Sequence, residues 1–486
     1  MACRSLAELL EDLRSAGQLL RVSQEVDAAG QAAEIVRQMA GRNGPALLFE
    51  RVAGSRWPVL AGLWGSEQRA CLALGVESPA DISGKAAQML LAPRPEGWWQ
   101  AMKMMPQLTQ HSAFAPKTVK HAPCQQVVRL ASDIHLPDLP LFTCWPQDSA
   151  AALHLAQVWT PGPTKLSPRL HSAPVQLLDT RTLLLRTSDA DTALFGLPPW
   201  SSLNNPTPVS ITLGGDPLLM WLSSLLLPAD ADPVLMAGMW HGQPLELTPG
   251  RTSDLHIPAQ SDMVLECIFD PKGTQSTGGP LIDRMGYVSE GRKYPTLQVQ
   301  AITHRANPLL PAFVPGPAMA EETVLAQLAE RFWLPWLQRA APEVAEAKIV
   351  NQAGCPRVML VAMHKKFPQQ ARRAAAAIWG CEPFARAKML VLLDADVDVH
   401  NSAQVWQQLA ATFHPGRDLI PFTGPADLRD STFSPSSAGQ SLALDATRKL
   451  PGEQETPTPT AAQADGDLVQ SLLQQWATLG LPADNE

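Results

Sequence analysis

Residue types that could do chemistry gather most densely between Thr277 and Arg305, in the stretch TGGPLIDRMGYVSEGRKYPTLQVQAITHR. A Gly-Gly-Pro turn leads into an acid and a base at Asp283 and Arg284, and an alternating run from Leu297 to Ile302 ends on His304 and Arg305. Gly and Pro punctuate and period-two alternation follows, so a tight loop entering a strand is expected. A carboxyl group beside a guanidinium supplies the groups of acid–base catalysis. The same pair also suits an ordinary β-loop, and spacing alone leaves both readings open.

Other candidates are weaker. Asp394, Asp396 and Asp398 follow an apolar run, but an EF-hand loop beginning at Asp394 needs Gly sixth and Glu twelfth, where the chain has Val399 and Val405. An aspartyl nucleophile, a sugar-nucleotide site and a solvated strand end all stay open there. Gly214, Gly215 and Asp216 precede an apolar segment, which fits either a phosphate at a helix N-terminus or a structural turn. The eleven histidines form no H-E-x-x-H, and neither G-x-S-x-G nor G-x-x-x-x-G-K-[ST] occurs. The simplest zinc-hydrolase, serine-hydrolase and P-loop chemistries are thereby removed.

The elements that must position these residues follow from periodicity. Leu6, Leu9, Leu10 and Leu13 recur at helical spacing, with Ser5 and Glu8 as a capping box and Gly17 as the stop. LLRV, a helix near Ala32 to Met39, a strand at Ala46 to Phe49, an apolar run at Leu60 to Leu63 and a helix at Glu67 to Leu74 follow. They predict a small α/β domain over residues 1–115. Pro93 to Pro146, with Trp98, Trp99 and Trp145 among turn formers, reads as a linker with little regular structure.

Short runs then succeed one another: LHLAQVW, PVQLLD, TLLLRT, PVSITLGG, MVLECIF and LQVQAIT. They predict a β-barrel or sandwich over residues 116–315, with one helix from Pro217 to Leu227. A helix from Glu321 to Trp333, stopped at Pro335, forms a link over residues 316–345. Val358 to Met363, Gln369 to Trp379 and Lys388 to Val399 give a βαβ rhythm, hence a second α/β domain over residues 346–430. Residues 431–486, rich in Ser, Pro, Thr and Gln, are expected as a largely extended tail with a short helix at Asp467 to Trp476.

Composition bounds the classes. At 486 residues the chain exceeds one compact core, and its 17% charged and 45% hydrophobic residues are those of a folded protein. A formal charge of -8 without a Lys/Arg run argues against a nucleic-acid partner. Seven scattered cysteines without a C-x-x-C pair suggest reduced thiols in a cytoplasmic protein rather than a disulfide frame or zinc knuckle. The amphipathic N-terminus suits neither a signal peptide nor a transmembrane segment, and no stretch is apolar for long enough to span a bilayer.

In order, the blocks SLAELLEDLRSAGQLLRV, GPALLFERVAG, PVSITLGGDP, DLHIPAQSDMVLEC, GGPLIDRMGYVS, AITHR, KMLVLLDADVDV and LALDATRKLPGE resemble the UbiD family of decarboxylases, which use a prenylated flavin mononucleotide. The resemblance covers nearly the whole chain. It implies an α/β multidomain fold with an N-terminal α/β domain and a central split β-barrel of flavin-reductase-like type that holds the flavin. A linking helix and a C-terminal α/β domain used for oligomerisation complete it. In such enzymes the flavin captures an unsaturated or aromatic acid and serves as electron sink while carbon dioxide leaves. An Arg and two acids manage the substrate and the returning proton, and a divalent cation held by Asn, His and Glu neutralises the flavin phosphate.

Carried over position by position, most of that set is replaced. The family loop E-G-P-F-G-[ED] falls on Gly278 to Asp283, so the second acid is kept as Asp283 and the first is Gly278. The N-x-G-x-Y-R strand falls on Arg169 to Pro174, which puts Arg169 at the metal-binding Asn and Pro174 at the catalytic Arg. The metal His falls between Ser188 and Thr192, where Asp189 and Asp191 stand, and the metal Glu is Pro233.

Arg169, Arg186, Gly214, Gly215, His304, Arg305 and Lys388 are the residues expected at prenylated FMN, FMN or its phosphate, with Arg169 and His171 on one strand face; Arg169 either stands in for the lost metal charge or pairs with a neighbouring acid, and Asp189 and Asp191 are the candidates for a metal that returns. A cleft free of cofactor is the other expectation, with the usual metal site lost.

Three functions follow from the resemblance. One is a non-catalytic or accessory subunit beside an active UbiD-type paralogue. Another is an active decarboxylase of an aromatic, polyprenylated aromatic or α,β-unsaturated acid, using Asp283 with Arg284, His171 or Arg186. The third is a module that binds flavin or phosphate without turnover. The partner expected is the paralogue, or further copies of the chain in a dimer or higher oligomer.

Overall fold

The computed structural model describes residues 2–90, 113–187, 200–225, 227–228, 231–273, 275–289, 291–316, 320–350, 357–382, 384–424, 439–454, 465–476 and 478–479. Asp189, Asp191, Trp98 and Trp99 lie outside them. The chain opens with α1 (Leu6–Ser15), which buries Leu6, Leu9 and Leu13. Ser5 Oγ accepts the Glu8 N–H, while Glu8 Oε2 accepts the N–H of Arg4 rather than that of Ser5, one residue outside the expected box. Then come β1 (Leu19–Val22), α2 (Gln31–Ala40), β2 (Ala46–Phe49), β3 (Val59–Ala61), α3 (Glu67–Leu74) and α4 (Asp81–Leu90).

The central region contains β4 (Lys117–Thr118), β5 (Val127–Leu130), β6 (Ala152–Thr164), β7 (Ser167–Leu177), β8 (Thr182–Leu185) and β9 (Thr207–Leu213). Two helices follow, α5 (Pro217–Ser224), three residues shorter than expected, and α6 (Pro233–His241), which periodicity missed because it is apolar nearly all round. Next are β10 (Glu246–Pro249), β11 (His256–Pro258) and β12 (Met263–Phe269). Four two-residue strands, β13 (Ser276–Thr277), β14 (Leu281–Ile282), β15 (Val288–Ser289) and β16 (Lys293–Tyr294), lead to β17 (Thr296–His304) and β18 (Leu310–Ala312).

Strands β12, β9, β6, β7, β8 and β17 pair in that order, and β17 pairs again with β12, so six antiparallel strands close into a ring. Their period-two alternation puts Val158, Val175, Leu185, Ile211, Leu265 and Val299 into one buried cluster. β18 leaves the ring and runs parallel to β3, completing an N-terminal sheet ordered β1, β2, β3, β18. A strand about 250 residues downstream of β3 thus ties the two regions together.

Helix α7 (Ala320–Ala340) runs through Pro335 instead of stopping there. A proline at 335 removes the N–H that the Arg331 carbonyl would accept, and Ser83 Oγ on α4 supplies the missing donor at 2.8 Å. Phe332 and Leu328 are wholly buried, and burial of such side chains at about 1.5–3 kcal/mol each holds the helix in place.

The C-terminal sheet comprises β19 (Val344–Ile349), β20 (Val358–Met363), β21 (Met389–Asp394), β22 (Leu419–Gly424) and β23 (Gly439–Asp445), ordered β19, β20, β21, β23, β22. Helices α8 (Gln370–Trp379) and α9 (Ser402–Thr412) accompany it. β23 comes from the stretch expected as an extended tail; its SLALD alternation lets it pair with both β21 and β22 and bury Ala443. A helix at Gly466–Gln475 matches the expected one.

Candidate functional site

The loop that holds Asp283 is a hairpin of β14 and β15. Asp283 Oδ1 accepts the N–H groups of Met285 at 2.9 Å and Tyr287 at 3.0 Å, so the carboxylate closes its own turn, with Gly286 at φ +86° completing it. Arg284 donates from Nε and Nη2 to the two carboxylate oxygens of Glu322, at 2.8 and 2.9 Å. Glu322 is fully buried on α7, and Phe313 lies under the guanidinium. The pair read as acid and base is therefore occupied in two different structural tasks.

Arg186 follows β8, and its N–H bonds the Pro174 carbonyl at 3.0 Å, so the two positions are neighbours across β7 and β8. Its Nη1 donates to Gly279 O at 2.7 Å and Gln176 Oε1 at 3.1 Å, its Nη2 donates to Ser289 Oγ at 2.8 Å, and its guanidinium covers the Tyr294 ring. Asp148 Oδ1 accepts the Ile282 N–H, and Ser149 donates its N–H to the Pro280 carbonyl. The Gly-Gly-Pro segment is thus stitched to the ring from both sides. A Cβ added at Gly278 would lie 2.8 Å from Arg186 Nη1 and 2.9 Å from Leu184 Cδ2. A glutamate here, where the resemblance expects one, would have to displace the Arg186 guanidinium and the end of the Leu184 side chain.

Positions aligned with the family's cation ligands do not form a donor set among the described residues. Arg169 and His171 do share a face of β7, opposite Thr160 and Val158 on β6. His171 is 1% exposed, and burial brings its pKa down to about 3, so it is neutral at pH 7. Pro233 offers no donor atom and starts α6, whose cap Asp232 accepts the N–H groups of Val234 and Leu235. Asp189 and Asp191 lie outside the described residues.

The remaining candidates are scattered among structural roles. Gly214 and Gly215 have φ of +69° and +87°, and Asp262 fills the space a Cβ at Gly214 would need while accepting the Gly215 N–H. Asp216 caps α5 and pairs with His241 Nε2 at 2.7 Å. His304 bonds the Arg305 carbonyl and meets the Trp57 ring edge-on, and Arg305 donates to Gln260. Lys388 precedes β21, and its carbonyl accepts the Leu442 N–H. Asp394 and Asp396 are both held by Arg448, and Asp398 accepts the His400 N–H, which makes that triad a strand end tied down by its own neighbours.

Two residues that no motif marked line the space between the N-terminal sheet, the ring and α7. A cavity of about 30 Å³ there is walled by Trp64, Phe142, Met220 and Phe313, with His154 and Glu321 as polar members. Both polar side chains are buried, and His154 Nε2 and Glu321 Oε2 have no hydrogen-bond partner among the described residues. Burial pushes Glu321 up to about 7 and His154 down to about 3, the Arg186 charge adding to the latter. Neither sits in a recognisable motif: His154 lies in an apolar strand and Glu321 in a helix opening with two glutamates.

Among the described residues, the positions expected to hold the flavin's cation and the catalytic groups do not carry the side chains that the resemblance implies. Pro174 and Pro233 bring no charge or ligand, and the space beside Gly278 is taken by Arg186.

Three family models match consecutive parts of the chain: the 3-octaprenyl-4-hydroxybenzoate carboxy-lyase N-terminal domain over residues 10–86, its Rift-related domain over 117–318 and its C-terminal domain over 323–446. Among solved structures, the chain is similar to vanillic acid decarboxylase of Sedimentibacter hydroxybenzoicus in closed form, with 24% identity, TM-score 0.84, and 98% and 99% of the two chains covered. It is also similar to the UbiD-class enzyme HmfF of Pelotomaculum thermopropionicum in complex with FMN, at 22% identity and TM-score 0.75, covering 97% of this chain and 100% of that one. A third is apo 3,4-dihydroxybenzoic acid decarboxylase of Klebsiella pneumoniae, at 21% identity and TM-score 0.71, with 97% and 99% covered. Fold and domain series together place this chain in the UbiD family of 3-octaprenyl-4-hydroxybenzoate carboxy-lyases.

Proposed function

We propose that this chain is an accessory member of the UbiD family, one that works beside an active UbiD-type decarboxylase subunit without running the prenylated-flavin reaction itself. The observation that carries this reading is the state of the acid loop. The first acid's position is Gly278, closed off by Arg186; the second acid, Asp283, is engaged by two backbone N–H groups; and its neighbour Arg284 is engaged by Glu322. Loss of a general acid and its orienting cation costs about 10² to 10⁴ in rate. The six-stranded ring takes the part of the split barrel, and the five-stranded C-terminal sheet serves assembly.

A multi-component assembly has a parallel in the Sedimentibacter decarboxylase ShVdcCD, one form of which contains truncated ShVdcD. A cytoplasmic setting suits the six free, buried cysteines among the described residues. Among the described residues no helix is long and apolar enough to cross a membrane.

Reconstitution with prenylated FMN and assay of carbon dioxide release from aromatic and α,β-unsaturated acids tests the catalytic half. No turnover by the lone chain is expected, and clear turnover overturns the reading. Affinity capture from native cells tests the other half: a UbiD-type decarboxylase subunit is expected, and recovery of a homo-oligomer alone counts against it.

A further inference from the structure

We propose that Cys144, Asp148 and His154 form a binding site for one divalent cation of the zinc class, separate from the positions aligned with the family's own metal ligands. The thiol sulfur, a carboxylate oxygen and an imidazole nitrogen all lie within 4.8 Å of one another, and all three residues are buried. Sulfur, oxygen and nitrogen donors together suit zinc, which takes thiolate, carboxylate and imidazole at about 2.0–2.3 Å. Tetrahedral ligation at those lengths sets donor atoms about 3.3–3.8 Å apart, so binding draws the widest pair in by about 1 Å.

The backbone around the three residues is fixed in advance. Asp148 Oδ2 accepts the N–H groups of Cys144 at 3.0 Å and Trp145 at 2.9 Å, and Arg37 Nη1 donates to the Cys144 carbonyl at 2.7 Å. Trp145 Nε1 in turn donates to the Pro315 carbonyl at 2.7 Å. His154 arrives from the opposite side at an irregularity of β6, where the register with β7 shifts between Leu153 and Ala156. Such bulges re-aim a side chain out of strand order.

A second, independent observation points to a ligand. His154 is 4% exposed, yet its Nε2 has no hydrogen-bond partner among the described residues. Buried polar atoms are rarely left that way. A cation bound through Nε2 satisfies it directly, and His154 also lines the neighbouring cavity. That cavity of about 30 Å³ has room for water. Binding forms a metal–thiolate bond as the Cys144 S–H proton leaves to solvent, so thiolate and carboxylate balance the two charges of the ion. Two cations act electrostatically on the cluster, Arg186 on Asp148 and His154 and Arg37 on Cys144.

The test is titration of the reduced, metal-free chain with cobalt(II) under anaerobic conditions. One cobalt per chain with a thiolate-to-cobalt charge-transfer band is expected, and loss of that band in both Cys144→Ala and His154→Gln while their melting curves stay cooperative supports the site. Absence of the band from the unsubstituted chain, or its persistence in either folded variant, overturns it. Should both variants fail to fold, anomalous scattering from cobalt-soaked crystals of the unsubstituted chain decides: an ion among the three residues supports the site, and an ion elsewhere or none overturns it.

Discussion

Arg186 and Gly278 exclude each other's alternatives: the guanidinium nitrogen Nη1 lies 2.8 Å from where a Cβ at position 278 would be. The same Arg186 donates its N–H to the carbonyl of Pro174, the position where the sequence resemblance leads one to expect the family's catalytic arginine. The buried Arg186 guanidinium thus ties down the loop through Gly279 and Ser289.

That relationship makes Gly278→Ala a probe of the clamp. With Leu184 Cδ2 at 2.9 Å and Tyr294 Cδ2 at 3.2 Å as well, the added methyl overpacks a filled space, and a loss of about 1–3 kcal/mol in chemical denaturation is expected. In an Arg186→Ala background the loss shrinks by about 0.5 kcal/mol or more, because the nearest obstacle is gone. Strict additivity of the two substitutions rejects the mutual exclusion.

Asp283 separates a turn residue from a proton donor. An amide oxygen accepts the Met285 and Tyr287 N–H groups as well as a carboxylate oxygen does, so Asp283→Asn leaves the melting temperature almost unchanged. Asp283→Ala removes the acceptor and costs about 1 kcal/mol. Equal stability of the two variants refutes the turn role.

Sequence patterning revealed what repeats locally. Leu6, Leu9 and Leu13 mark α1 because helical spacing puts them on one buried face, and the alternation in β6, β9, β12 and β17 marks strands for the same reason. The site was legible only as family positions that had lost their residues. What replaced them depends on pairings that no local pattern encodes. Arg186 meets the acid loop only because β8 lies beside β7, Glu321 accepts the N–H of Trp64 from 257 residues away, and Cys144, Asp148 and His154 are spaced irregularly in a Pro-rich turn and a bulged strand. β23 was hidden by the polar composition of its flanks, and the continuation of α7 past Pro335 rests on Ser83, a residue of another helix.

Ser83 offers a direct check on that continuation. Its hydroxyl donates to the Arg331 carbonyl, the acceptor that Pro335 leaves without its helical partner. Ser83→Ala is expected to cost about 1–2 kcal/mol. When Pro335→Ala is introduced first, the restored N–H takes over the carbonyl and the cost of Ser83→Ala falls. Equal costs in both backgrounds show that the hydroxyl has some other role.

Glu321 sets a pH dependence whose sign is fixed by its burial. Its ordinary value is 4.5, and desolvation pushes it up to about 7 against the pull of the Trp64 N–H and Arg69. Between about 4.5 and about 7 the folded chain therefore holds a proton that the unfolded chain has released, and this contribution to stability is lost as pH rises through that window. Glu321→Gln keeps an oxygen for the Trp64 N–H and abolishes the titration. The variant is expected to match the parent near pH 4.5 and to exceed it by about 1–3 kcal/mol at pH 8, at about 1.4 kcal/mol per unit of displacement. His154, held neutral down to about 3, destabilises the fold as pH falls below its ordinary 6.5, but it does so equally in parent and variant and cancels from the difference. Urea midpoints at pH 5 and pH 8 measure that difference, and a gap that does not widen with pH means that Glu321 titrates as an ordinary glutamate.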